Sequence, residues 1–449
     1  MAQYRAIFQN AYFKGLATAA VVTMGLAAGQ AQAKISDQKG WEDITTTEAH
    51  QEIAISGDVT ATNGNEFVIT LSGSSNVING TTTAATSLTA EKGTLVLNED
   101  NSTLTIGAAA SDKGTTVSVN ALDIQNGKVT LTNTSGSGST VTLNDLSLGA
   151  KGTLVVSGSD AQAVIGKADK TTINLASGGT IEFQSSGSVA GKKLVGTGGT
   201  IHFKANNSWT VPNYVEGSTG TAQVQNITID GEKTGTIALV GDDTAKKRGV
   251  MDFASGSVIE LASHATSGGI LAIDSGSSDL GSLVILREGV NLNTSGSLAS
   301  GGTISVKGVG ADAEKISTLQ TDAAVLGNFL NGTVKGSVIL DANSELAIDN
   351  RTVKFGTATA LTDADLTLQV SSGSAHAAGQ VVVSGATTIS AQDMVIEGNV
   401  GSNLTNLTLA ADNLTLGKES AKAFATGAKE LTAKNVTFIG ENSTTDFVL

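Results

Sequence analysis

The sequence of 449 residues contains no cysteine, a single proline (Pro212) and few aromatic residues, which make up 4% of the chain. Without cysteine no disulfide bond can stabilise the fold, so stability has to come from packing. Collagen is excluded because the 54 glycines follow no Gly-X-Y period and proline is almost absent. Disorder is disfavoured because 40% of the residues are hydrophobic and alternate with polar residues. The chain is therefore expected to fold, and to fold as β structure.

Positive charge is also scarce. The chain has 27 Lys and Arg against 41 Asp and Glu, which gives a formal net charge of −14. Arginine, the residue best suited to gripping phosphates and carboxylates, occurs after residue 33 only at Arg248, Arg287 and Arg351. A body this acidic repels nucleic acid and anionic membrane surfaces, so no nucleic acid is expected as a partner.

What the sequence does contain is a repeated phrase of Gly, a small hydroxyl residue and an alternating aliphatic run. The phrase starts at Gly93, Gly152, Gly179, Gly199, Gly235 and Gly302, with variants at Gly127, Gly256, Gly281 and Gly336. Glycine supplies the turn, and aliphatic residues at every second position fill one face of a strand. A single strand of this kind cannot bury its apolar face alone, but many of them can do so by stacking.

Successive phrases are separated by 20 to 36 residues. A propeller or leucine-rich repeat would hold its spacing better, whereas a β-helix tolerates unequal coils because loops leave the stack without disturbing it. The sequence therefore predicts an all-β fold, an elongated parallel β-helix (β-solenoid) with a small helical insertion. In the clearest pair of repeats, at Gly179 and Gly199, Ile and Phe are expected to point inward, and Glu182 and His202 outward.

The N-terminus has the features of a secretory signal peptide. Arg5 and Lys14 precede the apolar stretch Leu16 to Ala28, and Ala31-Gln32-Ala33 provides small residues at the positions that a signal peptidase inspects. About 13 apolar residues fall short of the ~20 that span a bilayer, so a membrane anchor is the weaker interpretation. Residues 1–33 are predicted to be removed, and the loss of their two cations leaves a net charge of −16.

The rest of the chain is interpreted as one repetitive body. Residues 34–57, which include Trp41 and show little alternation, are predicted to be an N-terminal cap, and residues 58–449 the β-solenoid passenger body. A helical insertion is predicted over 311–332. It is indicated by apolar residues at helical spacing, namely Ile316, Leu319, Ala323, Leu326 and Leu330.

No catalytic, cofactor-binding or metal-ligating residue is predicted. The histidines, His50, His202, His264 and His376, are scattered without metal-ligand spacing. Two segments, Asp341 to Glu345 and Asp363 to Asp365, mimic the start of a calcium loop. Leu346 and Leu368 occupy the positions where the sharp turn of such a loop requires glycine, so calcium dependence is not predicted.

Two further motifs match enzyme signatures only in part. Asp274-Ser275-Gly276-Ser277 resembles the nucleophile segment of chymotrypsin-like proteases, but Ile273 stands where that family uses glycine to shape its oxyanion-binding turn. The glycines of 308–313 resemble a dinucleotide fingerprint. Alternating strands and helices do not follow them, so a nucleotide cofactor is not predicted.

The chain resembles the passenger region of a Gram-negative autotransporter, of the self-associating adhesin type. The resemblance rests on the signal with its Ala-Gln-Ala exit, the cysteine-free acidic body, and phrases such as Gly-Thr-Leu-Val-Leu and Asn-Leu-Thr-Leu-Gly. It covers most of residues 34–449. What it implies is a right-handed parallel β-helix displayed at the cell surface, where it mediates adhesion, autoaggregation or biofilm formation.

The expected function is thus that of a non-enzymatic surface or secreted adhesin, exported and associated with the Gram-negative outer membrane. Its expected partners are like molecules on neighbouring cells or host surface components, together with an outer-membrane translocator that follows residue 449 or is a separate protein. Thr, Ser and Asn on the outer faces are expected to supply many weak hydrogen bonds. Two alternatives stay open, an S-layer or extracellular matrix structural subunit and, third, a serine protease passenger.

Overall fold

The computed structural model describes residues 86–107, 114–133, 138–158, 163–275, 278–355, 378–396, 407–416 and 430–438, together with isolated short strands. Residues 1–31, the greater part of the predicted signal peptide, lie outside the described residues. The chain divides into two compact units, residues 1–200 and 201–449. The sequence shows no change of composition at this boundary, because the same repeated phrase occurs on both sides of it.

The strands of the first unit are short and closely spaced. They are β1 Gln32–Ile35, β2 Ile44–Thr45, β3 Glu52–Ile55, β4 Val59–Thr60, β5 Phe67–Leu71, β6 Asn76–Ile78, β7 Thr86–Leu97, β8 Thr103–Ile106, β9 Thr115–Asn133, β10 Ser139–Thr142, β11 Asp145–Gly158, β12 Ala163–Ile165, β13 Thr172–Leu175, β14 Thr180–Phe183, β15 Gly187–Ala190 and β16 Lys193–Phe203, which runs on into the second unit.

The second unit contains the remaining strands and the helix. They are β17 Asn207–Thr210, β18 Tyr214–Val215, β19 Val224–Ile229, β20 Thr234–Ile237, β21 Gly249–Phe253, β22 Val258–Ala262, β23 Ile270–Ile273, β24 Ser282–Leu286, β25 Asn291–Ser295, β26 Thr303–Val306, β27 Ser317–Asp322, α1 Ala323–Asn331, β28 Ser337–Leu340, β29 Ser344–Phe355, β30 Asp365–Leu366, β31 Leu368–Val370, β32 Val381–Val383, β33 Thr387–Ile396, β34 Leu407–Leu416, β35 Ala423–Ala425, β36 Glu430–Phe438 and β37 Asp446–Val448. A 3-10 turn, Ala313–Lys315, precedes β27.

In the first unit, strands from successive coils pair in parallel and stack identical faces. One inward column contains Leu95, Leu122, Leu146, Ile173 and Leu194, each in register with the next and at most 1% exposed. The residues between them point outward and stay half-exposed, because side chains alternate along a strand. Each inward side chain is therefore shielded from water by the side chains of the coils before and after it.

The second unit repeats this arrangement. One of its inward columns runs through Trp209, Ile237, Ile273, Val306 and Leu340, all fully buried. The whole structure is 63% strand and 4% helical. The predicted all-β parallel solenoid with a small helical insertion is therefore confirmed. Every repeated glycine phrase starts within a strand or one or two residues before one.

The helix is shorter than the prediction of 311–332. Helix α1 begins at Ala323, where the Asp322 carboxylate accepts hydrogen bonds from the amides of Ala324 and Val325 at 2.8 and 3.4 Å. The preceding residues form strand β27, in which Leu319 points inward between Val284 and Leu346. The apparent helical spacing therefore came from a strand followed directly by a helix.

Helix α1 takes the place of a strand in one stack. Strands β19, β22 and β25 pair in parallel, and α1 packs on β25 with Leu326 and Phe329 buried. A bulky helix fits there because Gly336 has no side chain; a Cβ at this position would lie 2.2 Å from the Phe329 ring. The segment thus covers one stack and does not stand apart as a separate domain.

Part of the predicted cap, 34–57, is described. Strand β3 pairs in parallel with β1 and β6, so this segment already contains solenoid strands. Trp41 and most of its neighbours lie outside the described residues. A capping role for 34–57 stays a prediction.

Candidate functional site

A cluster of polar side chains lies on the outer face of the β21, β24 and β27 stack in the second unit. Strands β21 and β24 are buried on both faces, unlike most strands of the chain. Strand β18 pairs antiparallel with β21 at the edge of this sheet, and the amide of Asn213 donates to the carbonyl of Val250 at 2.7 Å. Val250, Leu283 and Ile285 form an apolar patch against which Tyr214 packs.

Asp252 is the centre of the cluster. Its side chain is 1% exposed, and it accepts two hydrogen bonds from the Arg287 guanidinium, both at 2.8 Å, and one from the Tyr214 hydroxyl at 2.9 Å. The Asp252 amide donates to the side-chain oxygen of Asn213 at 2.7 Å. A buried carboxylate is tolerated here because a charged fork and a phenol together satisfy it.

A second ion pair frames the other side of the apolar patch. Arg248 holds Glu216 with two hydrogen bonds of 2.9 Å, and its third nitrogen donates to the carbonyl of Ile316 and the hydroxyl of Thr318 at 2.9 and 2.7 Å. These bonds hold the pKa of Glu216 below its usual value. The stability that this pair contributes is therefore full above the ordinary glutamate pKa and is lost as the pH falls through the lowered one.

The ion pairs and hydrogen bonds of this cluster hold strands of the second unit together, and their carboxylates are not arranged for catalysis. Asp252 is occupied by Arg287 and Tyr214, and Glu216 by Arg248, so neither carboxylate is placed to accept a substrate proton. Arg248 ties Glu216, which follows β18 directly, to the solenoid, whereas Arg287, the residue that follows β24, joins that strand to β21. Sequence reasoning noticed Arg248 and Arg287 as scarce residues but assigned them no role, because their carboxylate partners lie 32 and 35 residues away in the chain.

Tyr214 provides a spectroscopic reporter of this cluster. Burial and the neighbouring Asp252 raise its pKa from 10.0 to about 12. The folded protein therefore favours the protonated phenol of Tyr214. Its contribution to folding stability is full below pH 10 and is lost as the pH rises through 12. In a protein starting at Lys34, Tyr214 is the single tyrosine. We expect its tyrosinate absorbance to titrate near pH 12 in the folded state and near 10 in urea.

The control for this titration is Asp252→Asn. The midpoint should fall only part of the way, because the larger cause, burial, persists. Circular dichroism at each pH establishes that the protein is still folded. A folded wild-type midpoint at 10 would contradict the described environment of the phenol.

Two of the histidines lie at one corner of the second unit. His202 Nε2 is 2.8 Å from Asp230, and His264 Nδ1 is 3.2 Å from Glu232, with both carboxylates on the turn that follows β19. His202 lies between the fully buried Ile201 and Phe203 and points outward, as predicted, and so does Glu182 of β14. His50 and His376 lie outside the described residues.

The residues that partly matched enzyme motifs are not assembled into sites. Ser275 is 4% exposed, and its hydroxyl has no hydrogen-bond partner among the described residues, so no nucleophile–base contact is formed there. Gly276 and Ser277 lie outside the described residues. The glycines of 308–313 lead into a 3-10 turn and then strand β27, whereas a dinucleotide fingerprint opens a helix.

The segments that mimic calcium loops are used within the solenoid. Asp341 accepts a hydrogen bond from the Ser384 hydroxyl, and Glu345 lies in β29, where Ser390 donates to it at 3.0 Å. Asp363 lies outside the described residues, and Asp365 belongs to strand β30. Within the described ranges, no group of three or more His, Asp or Glu side chains could hold a metal ion.

Comparisons of the chain with protein-family models, with curated proteins and with solved structures found no match. In the part of the chain that the structure describes, no helix has the length and apolar character needed to cross a membrane.

Proposed function

We propose that this chain is the passenger region of an autotransporter-like surface protein and acts as a non-enzymatic adhesin. In this proposal it is exported to the cell surface of a Gram-negative bacterium, where it contacts like molecules on neighbouring cells or components of a host surface. The observation that carries the proposal is a regular array of hydroxyl groups on one outer face of the first unit. A regular array favours many weak contacts over one strong site.

The hydroxyl array consists of two outward columns on strands β7, β9 and β10. Its members are Ser87, Thr116 and Thr140 in one column, and Thr89, Ser118 and Thr142 in the other, all in parallel register. Leu88, Val117 and Val141 point inward between the columns and are at most 1% exposed. Stacked strands place the hydroxyls about 4.8 Å apart along each column, with about 7 Å between columns.

The charge of the array supports association with a second copy. None of its six positions carries a charge, in a chain whose net charge is −14. An uncharged face adds no repulsion of its own when two acidic molecules approach each other through it. Hydroxyls can both donate and accept hydrogen bonds, so one array can pair with an identical one or with the hydroxyls of surface glycans.

The proposal is tested by placing charge on the array. Thr116→Asp combined with Thr140→Asp puts two carboxylates on neighbouring strands, and we expect aggregation of cells displaying the protein to fall about tenfold, since multivalent contacts are lost together. The matched control is Thr153→Asp with Thr180→Asp, which adds the same charges in the same register on another face.

Three results would count against the proposal. The first is that cells displaying the wild-type chain neither aggregate nor adhere. The second is that the two double variants reduce aggregation by the same amount. The third is that the purified wild-type protein forms ordered two-dimensional lattices, which would favour the S-layer or matrix subunit.

A further inference from the structure

A polar groove lies at one corner of the first unit, where four successive coils turn. Its volume is about 210 Å³, and its polar lining includes Glu91, Ser118, Thr142, Asn144, Lys167 and Lys170. Ser118 and Thr142 also belong to the hydroxyl array, so the groove opens at the edge of the face proposed to mediate adhesion. Asn144 lines the groove, and its side-chain NH2 group donates to the side-chain oxygen of Asn120 at 3.1 Å.

The loop that carries the two groove lysines is held in one conformation. Thr171 is fully buried; its hydroxyl accepts from the amide of Lys167 at 2.7 Å and donates to the carbonyl of Leu143 at 2.6 Å. The amides of Lys170 and Thr171 both donate to the carbonyl of Lys167, which closes the turn. Lys167 and Lys170 are thus presented from a pinned turn, with their side chains in solvent.

The next coil adds two more lysines beside this loop. The amide of Lys192 donates to the carbonyl of Thr171 at 2.7 Å, and Lys193 is in register with Thr172. This close approach requires Gly191, because a Cβ there would lie 2.5 Å from the Thr171 carbonyl oxygen. Four exposed lysines therefore lie on two adjacent coils, about 4.8 Å apart along the stack.

These lysines are not neutralised within the described residues. None of Lys167, Lys170, Lys192 and Lys193 forms an ion pair there, whereas Lys151 in the same unit pairs with Asp100 at 2.6 Å. The carboxylates of the same corner are Glu91 in the groove, Asp169 in the loop and Asp145 in register with Thr172. Four lysines against these three carboxylates give the corner a surplus of one positive charge, in a chain whose net charge is −14.

We propose that this lysine-lined corner binds an acidic polysaccharide. Lysine ammonium groups pair with the carboxylates of the sugar acids, and Ser118, Thr142 and Asn144 bond to sugar hydroxyls. A row of charges over neighbouring coils suits a linear polymer better than a single anion. The inference rests in part on the proposed adhesive function, for which it names a ligand class.

The composition of the corner favours a polysaccharide over a nucleic acid. Proteins that bind single strands combine a basic groove with aromatic side chains on which bases stack. None of the residues that line the groove is aromatic, and none is an arginine, the residue best shaped for phosphate. Lysine point charges among hydroxyls match carboxylates spaced along a sugar chain.

The test measures binding of purified protein to polygalacturonate, a linear uronic acid polymer, by calorimetry over a range of salt concentrations. Neutral dextran and a single-stranded oligonucleotide are the comparison ligands. We expect binding to polygalacturonate that weakens steeply with salt, and none to dextran. Replacing all four lysines, Lys167, Lys170, Lys192 and Lys193, by Gln should reduce the affinity at least about tenfold. Fewer counterions are released from the polymer on binding when the protein carries fewer lysines to neutralise its charges.

The control changes the charge equally at exposed lysines of the second unit. Replacement of Lys246, Lys247, Lys307 and Lys335 by Gln should leave the affinity within about twofold, because none of these exposed lysines lines the groove. The inference is overturned if the wild-type protein does not bind polygalacturonate, if both quadruple variants lose affinity alike, or if the oligonucleotide binds more tightly. Wild-type binding and its salt dependence need no variant, so they stand even if a variant misfolds.

The two proposals fail separately. If cells displaying the wild-type chain aggregate but the purified chain does not bind polygalacturonate, only the inference about the lysine-lined corner is overturned. If the purified chain binds polygalacturonate but cells displaying it neither aggregate nor adhere, only the proposed adhesive function is overturned.

Discussion

Replacing Arg287 by Met is expected to lower the free energy of unfolding by about 3 kcal/mol, since it leaves a buried carboxylate without its charged partner. Asp252 is 1% exposed and keeps only the Tyr214 hydroxyl and the packing around it after this change. Met retains much of the volume of the arginine stem, so the loss reports the ion pair more than the packing. Urea denaturation measures the change in free energy.

Two controls separate this interpretation from a general effect of losing a cation. In the double variant Arg287→Met with Asp252→Leu, most of the stability should return, because an apolar side chain can replace the buried carboxylate of Asp252 beside Ile285, while the Arg287 side chain is 53% exposed. Lys151→Met, at a pair whose side chains are 64% and 58% exposed, should cost no more than about 1 kcal/mol. Equal losses in Arg287→Met and Lys151→Met would show that Asp252 is not buried as described.

Leu154→Asp is expected to destabilise the first unit by about 4 kcal/mol or more, while Thr153→Asp next to it should change stability by less than about 1 kcal/mol. Leu154 is fully buried and is in register with Val129 and Ile181, so a carboxylate there would be enclosed by the coils on both sides. Thr153 points outward and is half-exposed. Thermal unfolding followed by circular dichroism measures both variants.

This pair of variants tests the inward and outward assignment directly. A register error of one residue would exchange the two faces, so the larger loss would then occur at Thr153. Losses of equal size at both positions would contradict a solenoid with a dry interior in this part of the chain.

The candidate sites show where sequence reasoning stops. Glu182 and His202 could be placed on an outer face from alternation alone, because strand geometry fixes which side chains share a face. The pairing of Arg287 with Asp252 could not be predicted, because it depends on β21 and β24 being neighbours in the stack. The lysines at 167, 170, 192 and 193 are unremarkable in the sequence, and only stacking of their loops brings them together.

The helix shows the same limit from the other side. The positions of Leu326 and Leu330 in a helix were predictable from their spacing, whereas the strand character of Leu319 was not. Local spacing cannot separate a strand that joins a helix from a longer helix, and the neighbouring strands β24 and β29 decide the outcome by pairing with β27.

By itself the sequence determined that this chain is a stack of parallel strands, because alternating aliphatic residues behind recurrent glycines can bury their apolar side only against further copies of the same unit. The tertiary structure alone decided which polar groups meet on the outer faces, where Arg248 reaches Glu216 and where four lysines gather. The inward faces are specified by a local period, and the outward contacts join residues tens of positions apart, whose proximity depends on the length of every coil between them.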